Sequence, residues 1–190
     1  MRPLLPLLAL VPTSTSATQY QYKRFPEMVN DMVSFTKSHP DLISLKTSQD
    51  QFGLPTVGTC EYYSPQENGN GNAESSSETV EAPCKNYFMT ITSGGPTDSA
   101  TPGDELPELF FSGEVHGDEQ VGPHAVLETT RLLLLASKCI ADIRSNPQSP
   151  STCWPYDDYS LSLLGRLVST RRTVVTPMSN ALGFHQMQRT

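Results

Sequence analysis

Residues 106–135, LPELFFSGEVHGDEQVGPHAVLETTRLLLL, constrain the fold more than any other stretch of the chain. Leu109-Phe110-Phe111 is a short apolar run of the kind that forms a buried strand, and Gly113 breaks it. His116-Gly117-Asp118-Glu119 follows at once, and Gln120 to Leu135 has the length and apolar content of a largely buried helix. A strand handed directly to a helix is the start of a layered α/β unit. In open α/β sheets, ligands bind at the carboxyl ends of the strands. At this corner an imidazole and a carboxylate, both zinc-ligand types, stand three residues apart. Gly113 and Gly117 let the backbone turn sharply and approach a ligand closely. Glu119 lies near a helix N-terminus, where the dipole favours a carboxylate. Taken alone, His-x-x-Glu is an unspecific spacing, and a single His at a strand end is more often a hydrogen-bonded structural residue.

The rest of the chain repeats the alternation. Phe25, Met28, Met32 and Phe35 recur at helical spacing over 25–38, with Pro26 in the first turn and Pro40 as a stop. Leu42 to Thr47 and Asn86 to Thr92 have strand composition, and Thr56 to Tyr63 is a further strand candidate interrupted by Gly58. Ser64 to Pro83, rich in Asn, Gly, Ser and Glu, cannot bury a core and is expected to be a flexible surface insertion. Asn146 to Pro155 is loop-like, and Asp157 or Asp158 can cap a helix over Tyr159 to Val168. Arg172 to Pro177 is another buried-type strand, and Met178 to Thr190 follows it with no helix stop or strand signal. Single apolar strands separated by helices predict a three-layer α/β/α fold with a mixed, mostly parallel sheet.

Chemistry of the whole chain narrows the partners. A formal net charge of −7 over 190 residues argues against nucleic acid, which selects basic faces. Met1-Arg2, the apolar run Leu4 to Val11 and the small residues up to Ala17 have the layout of a secretory signal peptide over 1–17, leaving 18–190 as the mature part. That run is too short to span a bilayer, and no later segment reaches the ~20 apolar residues a span needs, so no membrane partner is expected. Cys60, Cys84, Cys139 and Cys153 form an even set that suits a secreted, disulfide-bonded chain. Of the three pairings, Cys60–Cys84 with Cys139–Cys153 is favoured, because each pair brackets a polar loop.

SGEVHGDEQVG resembles the first zinc-ligand motif of the M14 zinc carboxypeptidases: an apolar strand, Gly, two residues, His, Gly or Ala, any residue, Glu. The resemblance implies that His116 and Glu119 are two of three Zn2+ ligands, and Asp118 departs from the Arg common at its position in digestive members. Pro177-Met178-Ser179-Asn180-Ala181-Leu182-Gly183-Phe184 is similar to a second motif of that family, Pro-x-x-Asn-x-x-Gly-aromatic, after which Arg189 matches the catalytic Arg. The segment SHPDLISLKT is a third, less specific similarity. The likeness runs from about Phe25 to Arg189 and implies a secreted metallocarboxypeptidase acting on the C-termini of peptides or proteins.

The family's third ligand, a later His, and its general base, a later Glu, have no counterpart before Thr190. His185 follows the second motif too closely, His39 is in a helix-ending turn, and His124 lies about two helical turns beyond His116. The expectation is therefore the N-terminal part of such an enzyme, its fold incomplete at the C-terminus, with weak zinc binding and no useful turnover by itself. A zinc deacylase of the aspartoacylase or desuccinylase branch and a secreted non-catalytic binding domain are the alternatives.

Overall fold

A computed structural model of the chain describes residues 21–64, 78–93, 106–146 and 153–189. The signal segment expected over 1–17 and most of the expected insertion lie outside them.

Helix α1 (Phe25–Ser38) forms where the spacing of its apolar residues places it, with Pro26 in the first turn and the Arg24 N–H donating to the Glu27 carboxylate at 2.6 Å. Phe25, Met28 and Met32 are at most 1% exposed, so the stripe is core. Strand β1 (Ile43–Thr47) leads into a short helix α2 (Ser48–Phe52), whose Asp50 N–H donates to the Thr47 hydroxyl; β2 (Thr59–Tyr63) starts after Gly58. Strand β3 (Thr79–Pro83) pairs antiparallel with β2 to form a separate ribbon. The stretch 64–83, expected to be a flexible surface insertion, thus ends in a strand. Five residues of it find a partner strand, which composition does not register. The Cys60–Cys84 disulfide closes this ribbon and Cys139–Cys153 ties the next long helix to its exit loop, the pairing expected from the sequence.

The main sheet consists of β1, β4 (Tyr87–Ile91), β5 (Glu108–Ser112) and β6 (Arg172–Thr176), in the order β1-β4-β6-β5. The α/β class and the mixed sheet are as expected. The balance of directions is not. Only β5–β6 runs parallel, and β1–β4 and β4–β6 run antiparallel, so the described sheet is not mostly parallel. One face buries Ile43, Met89, Ile91 and Val175 under α1 and the helix α3 (Val121–Ser145). Helix α3 runs ten residues beyond the expected end at Leu135, and α4 (Leu161–Thr170) packs on it, with Ser160 rather than Asp157 or Asp158 as its cap. On the opposite face of β5, Phe110 is 66% exposed, so Leu109–Phe111 is not buried throughout. The strand is at a sheet edge, and among the described residues no helical layer covers that side of it. A final short helix, α5 (Ala181–Gln186), follows β6 and had no sequence signal of its own beyond Asn180, its N-cap.

Candidate functional site

The parallel pairing of β5 and β6 brings both strand ends to one place. Beyond the last paired residues, Ser112 and Thr176, the Gly113 N–H still donates to the Thr176 carbonyl at 3.0 Å. The chain then turns through 113–119, and the Glu119 N–H closes the turn on the His116 carbonyl at 3.0 Å. Gly122, in the first turn of α3, passes so close to Gly113 that a Cβ on Gly122 would collide with the Gly113 carbonyl oxygen. Gly113 itself meets the Pro177 carbonyl. Small residues are therefore required on both sides of the corner for packing.

This turn aims His116 and Glu119 at one another. His116 Nδ1 stands 3.1 Å from Glu119 Oε1, and both side chains are solvent-accessible. At that distance the two make a hydrogen bond of their own; two donors held by one tetrahedral zinc ion at ordinary bond lengths would stand slightly further apart, about 3.4 Å.

The second motif locks onto the first. Asn180 caps α5 by accepting the Gly183 N–H on Oδ1 at 3.0 Å, and its Nδ2 reaches the Val115 carbonyl at 3.4 Å. Its own N–H donates to Glu114 Oε2 at 3.1 Å. Gly117 lies flat on Gly183, where a Cβ would strike backbone atoms. Arg189, three residues past α5, places Nη1 3.7 Å from Asp118 Oδ2, an exposed ion pair on the rim of the corner. Two stretches about 60 residues apart in sequence are a single piece of structure, and His116, Glu119 and Arg189 are grouped by it.

Glu114 is the site residue that the sequence did not reveal. It is 2% exposed, and among the described residues its Oε1 has no hydrogen-bond partner. Burial pushes its carboxyl up to about 6; the Asn180 N–H opposes this, Glu119 and Asp118 add to it, and His116 pulls it back. Strand alternation continued from Phe111 would turn Glu114 outward and Val115 inward. The strand ends at Ser112, the turn rotates the chain, and Val115 is 66% exposed instead.

The other histidines are occupied elsewhere. His124 is buried, accepts the Lys23 N–H on Nε2 and contacts the Gln120 carbonyl through Nδ1. His185 lies edge-on to the Phe25 ring. Among the described residues no group of three or more His, Cys, Asp or Glu side chains could hold a metal. His116 and Glu119 are two side chains of zinc-ligand type, and a catalytic zinc takes three ligands from the protein; the described residues alone do not complete such a centre.

Fold and corner together define a mixed-sheet α/β protein with a His/Glu side-chain pair at a strand-to-helix turn. No family model matches the chain, and no curated protein matches it. Among solved structures, thrombin-activatable fibrinolysis inhibitor is similar, at 12% identity and a TM-score of 0.41, over 89% of this chain and 29% of that one. The bovine form of that protein, solved in complex with tick carboxypeptidase inhibitor, is similar at 11% identity and a TM-score of 0.38, over 89% of this chain and 36% of that one. The chain thus spans about a third of the length of these neighbours.

Proposed function

We propose that this chain contributes to a metallocarboxypeptidase-type zinc centre that removes C-terminal residues from peptides or proteins outside the cell. His116 and Glu119 are the zinc ligands it contributes, and Arg189 is the cation that meets the negative charge developing on the substrate carbonyl oxygen. Zinc, when bound, lowers the pKa of its water and polarises the scissile carbonyl. The single observation that carries the reading is the 3.1 Å convergence of His116 Nδ1 and Glu119 Oε1 on a turn held by the Asn180–Gly183 segment. Two disulfides suit an oxidising compartment. Among the described residues no helix is long and apolar enough to cross a membrane.

Isothermal titration with zinc tests the ligand assignment. The chain takes up zinc weakly, and His116→Ala and Glu119→Ala each remove the uptake. Unchanged affinity in both variants would reject the metal centre and leave a non-catalytic binding domain as the better account.

A further inference from the structure

We infer that Tyr159 is a site of tyrosine O-sulfation, its phenolic oxygen esterified by a transferase of the secretory route. This site is independent of the zinc reading and rests on the extracellular one given above. Tyr156 and Tyr159 flank an acidic pair, Asp157 and Asp158. No Lys, Arg or His occurs between Arg144 and Arg166, so the charge of this stretch is purely negative. By sequence the two tyrosines are equivalent, and the structure separates them. The Tyr156 hydroxyl accepts a hydrogen bond from the Arg131 guanidinium, whose carbon also lies 5.7 Å from the Tyr156 ring centroid. Tyr156 is half-buried and its phenol is engaged. Tyr159 is 50% exposed, and among the described residues its hydroxyl has no hydrogen-bond partner.

The backbone holds Tyr159 in that place. Its carbonyl accepts the Trp154 indole N–H at 2.9 Å, and its ring meets that of Tyr156 edge-on at 5.7 Å. Residues 153–160 are in neither helix nor strand, and α4 begins only at Leu161. Asp157 and Asp158 are exposed beside it, so a second protein can reach phenol and carboxylates together. The sulfo donor is a nucleotide phosphosulfate. It is a polyanion, so the cleft that holds it is basic and draws in an acidic loop. The Tyr159 phenolic oxygen attacks the sulfur, and a bond forms between them. The bond from sulfur to the phosphate oxygen breaks, and the nucleotide phosphate leaves with its electron pair. The phenolic proton passes to a base of the transferase, and nothing is oxidised or reduced. Tyr156 would first have to give up its bond to a charged group, which places it second.

The test is secretion of the full chain from animal cells fed radioactive sulfate. The expected result is label on the exported chain as tyrosine sulfate, lost in Tyr159→Phe and kept in Tyr156→Phe. Replacing Asp157 and Asp158 together by Asn should lower the label severalfold with Tm unchanged. If Tyr159→Phe is not exported, fragmentation of the wild-type peptide that spans both tyrosines decides which one carries the group. An exported chain without label overturns the inference alone. Label that survives Tyr159→Phe, or a phosphate in place of the sulfate by exact mass, also overturns it. A chain retained inside the cell overturns the extracellular reading and this site with it.

Discussion

Gly117 has no room for a methyl group, because the backbone of Gly183 occupies the space where a Cβ would stand. Backbone cannot step aside as a flexible side chain can. Gly117→Ala should cost more than about 2 kcal/mol, in the range of overpacked cores, and should separate the ligand turn from α5. Urea unfolding would measure the first effect and zinc titration the second. Glu114 makes a prediction of the opposite sign. Its carboxyl stands at about 6 in the folded chain against an ordinary 4.5, so the folded state binds its proton more tightly than the unfolded state does. The stability this gives is complete below the unfolded value and is lost as pH rises through about 6. Relative to wild type, Glu114→Gln should therefore gain roughly 2 kcal/mol between about pH 4 and about pH 7, read from urea midpoints across that range. A flat difference would mean that Glu114 titrates alike in both states.

At the scale of elements, α1 contributes buried core residues and two disulfides tie loops to the fold. Met28 is fully buried against the sheet, so Met28→Ala should cost about 2–5 kcal/mol by denaturant unfolding. Cys139 and Cys153 close a loop across 14 residues that joins α3 to the approach to α4. Replacing both with Ser should lower stability by about 3 kcal/mol, since the open loop regains entropy in the unfolded chain, and a guanidinium titration would show it. These elements also show what sequence can reveal. The stripe Phe25, Met28, Met32 and Phe35 announced α1 because helical periodicity is local, and the cysteine pairing followed from the loops each pair brackets. Strand β3 was missed because its partner β2 lies across a polar stretch, and its own residues alternate only weakly in burial. Sheet direction was misjudged for a related reason. Nothing within β4 records that both its neighbours run against it. His116 and Glu119 were legible as a pair because three residues in a turn bring them together. Glu114 was not, since its partner is a backbone N–H 66 residues away.

At the scale of the whole molecule, the described residues bring together two side chains of zinc-ligand type, His116 and Glu119. Incubated with zinc and a C-terminally labelled peptide, the chain should release no label above buffer, because a catalytic zinc draws three ligands from protein. Release that His116→Ala abolishes would show that a residue outside the described segments completes the centre. The contact between Gly117 and Gly183 also has a bearing on how the chain is made. Synthesis is vectorial, and the turn at 113–119 emerges from the ribosome long before β6 and α5 do. Until they arrive, β5 has no parallel neighbour, and Gly117 and Glu114 have nothing to rest on. A nascent chain halted before residue 172 would display His116 and Glu119 on an unsupported turn, so their pairing belongs to the end of biosynthesis.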